Sequence, residues 1–163
     1  MTDTKNTNIR TDAFVQRIMQ NEGTKEYQRK MQTYKKGLFY VYKCSEGFDT
    51  IGYGHLCSAK EVQEYRNGIS ELKALMLLQK DLLDAENDTR QLFEVNRHSI
   101  EVQQMLVEMV FQLGKGTASK FKQFKAALDA MDYKTAALEL IDSRWYKQTP
   151  NRVQLHVEVL RKQ

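Results

Sequence analysis

Tyr42-Lys43-Cys44-Ser45-Glu46-Gly47-Phe48-Asp49-Thr50-Ile51-Gly52-Tyr53-Gly54-His55-Leu56 is the one glycine-dense stretch of a 163-residue chain that holds only 8 glycines. Aromatic and β-branched residues flank Glu46-Gly47, a pattern that predicts a tight antiparallel hairpin. Gly52 and Gly54 lie two positions apart. In a strand they would share a face, and that bare face would let a backbone or a ligand approach closely. The stretch is too short and too sparsely apolar to be a core. It reads as a site, to which the rest of the chain must bring a scaffold and chemistry.

Upstream, Asp12 is the expected N-cap of a helix with Phe14, Val15, Ile18 and Met19 as its apolar positions. Asn21-Glu22-Gly23 ends it, with Gly23 as the residue beyond the cap. Glu22 then stands in the last turn, where the helix dipole is negative and opposes a carboxylate, so an upward pKa shift is expected. On position alone a solvated terminal glutamate is the competing reading. Residues 24–37 are polar and basic (Lys25, Arg29, Lys30, Lys35, Lys36) and read either as extra helical turns or as a mobile loop. Leu38 to Tyr42 reads as a strand leading into the glycine-rich stretch.

Downstream the pattern turns helical. Ser70 and Glu71 open a long helix to about Phe93, with Leu72, Leu75, Met76, Gln79, Leu82 and Leu83 at the 3.6-residue period. Glu101 to Leu113 carries Met105, Leu106, Met109 and Val110 on one face, and Gly114-Lys115-Gly116 breaks it. Phe121, Phe124 and Leu128 mark a short helix, and Thr135 to Ile141 another. The last helix opens with Thr149 as N-cap and Pro150, the one proline, at its first position. Its packing residues are Val153, Val157 and Leu160. Trp145 is the only tryptophan and reads as a core anchor.

The formal net charge is +4 and the pI about 9.0. That suits an anionic partner such as a cell-wall polymer, yet no base-reading or stacking motif marks a nucleic-acid binder. His55, His98 and His156 lack metal-ligand spacing, and no cofactor motif is present. No apolar run approaches the roughly 18 residues of a membrane span, so stable membrane insertion is not expected. Met1 to Arg10 lacks the apolar region of a signal peptide. Residues 1–11 are expected to form a flexible tail, with synthesis in a reducing cytoplasm.

Asn21-Glu22-Gly23, the motif Thr50-Ile51-Gly52-Tyr53-Gly54-His55, and the run Ser143-Arg144-Trp145-Tyr146-Lys147-Gln148-Thr149-Pro150-Asn151-Arg152 occur in this order. Together they resemble the bacteriophage T4 lysozyme family, the phage muramidases of glycoside hydrolase family 24, over roughly Asp12 to Arg161. The resemblance implies an α+β, mostly helical, two-lobed fold. A small N-terminal lobe (residues 12–69) holds a short antiparallel sheet, a connecting helix spans 70–93, and a helical lobe covers 94–161. It implies an endolysin that hydrolyses the β-1,4 bond between N-acetylmuramic acid and N-acetylglucosamine in peptidoglycan. The expected protein is monomeric, made in the host cytoplasm and active in the periplasm, which it would reach through a holin-like pore or by virion delivery. Glu22 matches the general acid. Thr50 matches a threonine that helps hold the attacking water, and His55 a supporting histidine. Leu56, Phe111, Phe124 and Glu139 match glycan-contacting positions, although Phe124 and Glu139 replace smaller or neutral polar residues of the family.

Two departures stand out. Cys44 occupies the position of the family's second catalytic carboxylate, an aspartate. Three readings stay open: Cys44 serves as base or nucleophile, Asp49 or Glu46 takes over, or the chain binds peptidoglycan or a partner without hydrolysing it. The spacing of Glu22 and Cys44 is also longer than in the family, by the basic segment Lys25 to Lys36. That segment reads as a surface insertion, or else as a cover for one end of the cleft or a lure for anionic wall components. A pairing of Cys44 with Cys57 is a further alternative.

Overall fold

The computed structural model describes residues 8–163, and the chain divides into two compact units. The first is Arg10–Asp84. The second is Ala85–Gln163 joined by the described start of the chain. Most of the expected tail lies outside the described residues. Ile9, however, is fully buried, and its carbonyl accepts a hydrogen bond from Gln104 Nε2 at 3.1 Å, so the tail ends earlier than Thr11.

The first unit opens with α1 (Asp12–Glu22). Thr11, not Asp12, caps it: the Thr11 hydroxyl accepts from the Phe14 N–H, and Asp12 adds negative charge to the first turn. Phe14 and Ile18 are its buried positions. The polar segment that follows folds into α2 (Lys25–Lys30), capped by Thr24. Next come β1 (Tyr34–Lys35), β2 (Leu38–Phe39), β3 (Tyr42–Lys43), β4 (Asp49–Ile51) and β5 (His55–Leu56). Then α3 (Ala59–Glu64) starts with a capping box of Ser58 and Glu61, and β6 (Ile69–Ser70) leads into α4 (Glu71–Leu92). The expected single sheet is two three-stranded antiparallel sheets, ordered β1-β2-β6 and β3-β4-β5. An aromatic cluster joins them: Phe39 of β2 packs on Tyr34 and on Tyr53, with ring centroids 4.7 and 5.2 Å apart.

The buried face of α4 differs from the expected one. Ala74, Leu77, Leu78, Leu82 and Ala85 are buried, whereas Leu72, Met76 and Leu83 are exposed. Both stripes obey the helical period, so periodicity alone cannot choose between them. Close backbone approach decides it. The glycine turn packs on Ala74, and a β-carbon built on Gly52 would lie 3.1 Å from that of Ala74.

In the helical unit, a 3₁₀ turn at Val95–Arg97 precedes α5 (Ile100–Leu113), whose Val102, Gln103 and Met105 to Val110 are all buried. A helix buried on nearly every side is a central one. Around it lie α6 (Lys115–Ala118), α7 (Lys122–Asp129), α8 (Tyr133–Ile141), α9 (Arg144–Gln148) and α10 (Pro150–Arg161). Trp145 is buried as expected and stacks on His156 at 5.3 Å, and edge-to-face contacts continue through Phe121 and Phe124 to Phe93. Val153, Val157 and Leu160 are the buried face of α10. Thr149 precedes that helix but its side chain does not cap it. Its hydroxyl instead donates to the Trp145 carbonyl and accepts from Gln112. Among the described residues no helix is long and apolar enough to cross a membrane.

Candidate active site

The predicted hairpin is present. Cys44 to Phe48 connects β3 to β4, with the Cys44 N–H bonded to the Phe48 carbonyl at 2.9 Å and the Gly47 N–H to the Cys44 carbonyl at 2.8 Å. Gly47 has φ +84°, the left-handed position that closes a three-residue hairpin loop. Burial works against ionisation of the Cys44 thiol. The N–H groups of Glu46 and Phe48 and the Thr50 hydroxyl outweigh both burial and the nearby Glu46 carboxylate, and the pKa lies below the ordinary thiol value. Thr50 is 3% exposed, and its hydroxyl stands 3.0 Å from the Phe48 carbonyl. One hydroxyl carries one proton. It serves that carbonyl while the thiol is neutral and is at hand for the thiolate once it forms.

Gly52 and Gly54 do not lie in a strand. Both sit in the turn between β4 and β5 with φ of +63° and +85°, so they share no pleated face. Their bareness is nonetheless used, Gly52 against α4 and Gly54 against the acid. A β-carbon on Gly54 would stand 2.7 Å from Glu22 Oε2. The last residue of α1 thus lays its carboxylate on the glycine turn, and Gly23, at φ +110°, ends the helix there.

Glu22 and Cys44 line one pocket of about 380 Å³ together with Tyr27, Met31, Thr33 and Tyr42. Burial, then the Glu22 carboxylate and the Cys44 thiol, push the Tyr42 phenol up to about 12. Neither Asp49 nor Glu46 lines this pocket. Asp49 is bound to Lys43, its cross-strand partner, at 2.8 Å.

His55 is clamped between two carboxylates, with Nδ1 2.8 Å from Asp81 and Nε2 2.8 Å from Glu61. The Asp81 hydrogen bond, joined by that of Glu61, outweighs burial and raises its pKa. This clamp was not legible in the sequence, because Asp81 lies 26 positions away. Cys44 and Cys57 are both free thiols. Burial, with Glu61, Asp49 and Asp81 nearby, pushes Cys57 up to about 11. Leu56 is 61% exposed. Phe111, Phe124 and Glu139 belong to the helical unit, where the last two line a separate pocket of about 340 Å³. Phe124 is itself 1% exposed and is first a core residue. No three His, Cys, Asp or Glu side chains cluster as a metal site requires among the described residues.

The family model for phage lysozyme matches residues 39–162. The chain belongs to the phage lysozyme family. It is 30% identical over 137 residues to the pre-baseplate central spike protein Gp5 of Enterobacteria phage T4, covering 69% of this chain but 23% of the spike protein. It is 30% identical over 135 residues to probable T4-type lysozyme 2 of Dictyostelium discoideum, 69% of this chain and 79% of that one. Probable T4-type lysozyme 1 of the same organism is 28% identical over 145 residues, 74% and 84% of the two chains. The family match takes in Cys44, Thr50 and His55, while Glu22 lies on its N-terminal side.

Proposed function

We propose that this protein is a muramidase that cleaves the β-1,4 bond from N-acetylmuramic acid to N-acetylglucosamine in peptidoglycan, with Glu22 as general acid and Cys44 in place of the second carboxylate. Glu22 protonates the bridging oxygen as its bond to the anomeric carbon breaks, so the leaving sugar departs as a neutral alcohol. Positive charge develops on the remaining ring, and the Cys44 thiolate faces it. The thiolate either accepts a proton from water, whose oxygen bonds to the carbon, or bonds to the carbon until water displaces it. On the first route the proton passes from Cys44 through solvent back to Glu22, and on the second Glu22 takes it from the attacking water. Leu56, Phe111 and Glu139 are glycan-contacting positions on this reading, Phe124 being too deeply buried to touch a glycan, and His55 supports the site. The enzyme is made in the host cytoplasm and acts on the wall beyond it, brought there by a holin-like pore or a virion.

The observation that carries this reading is the shared pocket: Glu22 and Cys44 line the same cavity of about 380 Å³, and the Cys44 pKa lies below the ordinary thiol value. A neutral thiol would do nothing for an oxocarbenium-like state, whereas a thiolate supplies the missing charge. The cross-strand pairing of Asp49 with Lys43 argues against its taking over. The test is loss of turbidity of purified peptidoglycan under reducing conditions. Wild type and Cys44→Asp should clear it, and Cys44→Ala and Glu22→Gln should fall at least about 100-fold. Clearing by Cys44→Asp but not by wild type would mean a glycan-binding protein that has lost hydrolysis. Full activity in Glu22→Gln would overturn the assignment.

A further inference from the structure

The segment between Glu22 and β1 is held in place. Gln28 of α2 is 2% exposed, and its Nε2 donates to the carbonyls of Gly23 at 3.1 Å and Gly52 at 2.9 Å. Thr33 closes the end of the helix by donating to the Gln28 carbonyl at 3.3 Å. At the other end Lys25 Nζ lies 3.0 Å from Glu71 at the start of α4. Of the segment's five basic residues, Lys25 is paired with a carboxylate inside the unit. Besides Lys25, Arg29 lies over the Tyr34 ring and Lys35 over the Tyr40 ring. Arg29, Lys30, Lys35 and Lys36 remain exposed.

The segment builds a wall of the candidate site. Tyr27 packs its ring edge beside Gly23, where a β-carbon would meet Cδ1 at 3.4 Å, one residue after the candidate acid. The rest of the ring is open, at 58% exposure, and Met31, one turn on, is also 58% exposed. These two large apolar side chains stand at the mouth of the pocket that Glu22 and Cys44 line, with Thr33 and Tyr42 as polar neighbours. At about 380 Å³ the pocket falls in the range of small-ligand sites, roughly 300–1,000 Å³. Open aromatic and thioether surface beside hydroxyl groups matches a pyranose ring, which has apolar C–H faces and a polar hydroxyl edge. A loop that only bridged α1 to β1 would not hold two large apolar side chains out over that pocket.

We propose that α2 is a saccharide subsite, in which Tyr27 and Met31 stack against the sugar ring neighbouring the one held between Glu22 and Cys44. Tyr27 and Met31 are glycan-specificity residues on this assignment. The inference rests on the proposed muramidase reading for the identity of the glycan, and its test is a binding measurement that needs no turnover.

The probe is a soluble tetrasaccharide of alternating N-acetylglucosamine and N-acetylmuramic acid, titrated into isotope-labelled Glu22→Gln protein. The Met31 methyl and the amides of α2 should shift on binding. Tyr27→Ala in the same background should raise Kd about three- to tenfold, the value of one aromatic stacking contact, and Tyr27→Trp should restore it. In the active enzyme Tyr27→Ala should appear in KM rather than kcat. Shifts that spare α2, a Kd unchanged in Tyr27→Ala with an intact amide spectrum, or no binding at all would each overturn the subsite. Hydrolysis can fail while the α2 shifts persist, and the subsite then stands without the enzyme. Hydrolysis with silent α2 shifts removes the subsite and leaves the enzyme.

Discussion

The carboxylate of Glu22 fills the space where a side chain at position 54 would begin: a β-carbon on Gly54 would stand 2.7 Å from its Oε2. Position 54 also has φ +85°, which costs an L-residue about 1–2 kcal/mol. Gly54→Ala should therefore lose stability and displace the acid together. Gly37 separates the two effects, because it has φ +77° with no atom within 4 Å of a built β-carbon. Urea midpoints should fall by a similar backbone cost in both variants. Peptidoglycan clearing should fall about 100-fold in Gly54→Ala alone, since a misplacement near 1 Å costs on that scale. Equal activity in the two variants would remove Glu22 from the site.

The two thiols should differ sharply in reactivity. Three donors lower the Cys44 pKa, whereas burial and three acidic neighbours push Cys57 up to about 11. Iodoacetamide near neutral pH should modify Cys44 first, and mass spectrometry of the digested protein reads the order. Thr50→Val keeps the shape of a 3% exposed residue and removes one donor. The pH at which Cys44 reacts half-maximally should rise in that variant. No change would mean that the Thr50 proton stays on the Phe48 carbonyl throughout.

The hairpin and the long helix were legible because turn chemistry and helical period are local, whereas Glu22 and Cys44 were singled out only by their match to the family's motifs. Ser58 and Glu61 also carry a local signal, a capping box three residues apart, that marks the missed helix α3. What stayed hidden depends on contacts distant in sequence. The α4 face turned on Ala74 meeting Gly52, and a stripe containing alanines looks weaker than one of leucines. The basic segment read as loop or helix because its anchor, Gln28, is a polar residue whose partners only the fold supplies.

His55 should make stability depend on pH in a defined direction. The Asp81 and Glu61 bonds hold its folded pKa above the ordinary value of 6.5. Its contribution is then complete below about pH 6.5 and is lost as pH rises through the folded value. His98 runs the other way, since burial lowers its pKa and its contribution is lost as pH falls through the folded value. The Tm difference between wild type and His55→Asn should be largest at mildly acidic pH and shrink toward alkaline pH. A difference that grows with pH would mean that the clamped histidine is neutral.

Gln28→Ala tests whether α2 is a fixed wall. The substitution keeps helix propensity but leaves the carbonyls of Gly23 and Gly52 without the donor that now serves both, one beside the acid and one in the glycine turn. An unsatisfied buried carbonyl costs about 1–3 kcal/mol, and urea unfolding should show a loss in that range. Arg29→Ala removes an exposed neighbour and should lose less than about 1 kcal/mol. The two positions should differ again in hydrogen exchange. The amides of Gln28 and Met31 are bonded to Thr24 and Tyr27 within α2, and their protection should collapse in Gln28→Ala while that of α4 persists. If α2 is a wall of the site, KM for peptidoglycan should rise in step with that local opening. A stable variant with protected α2 amides would mean that the capping by Thr24 and the Lys25–Glu71 pair hold the helix without Gln28.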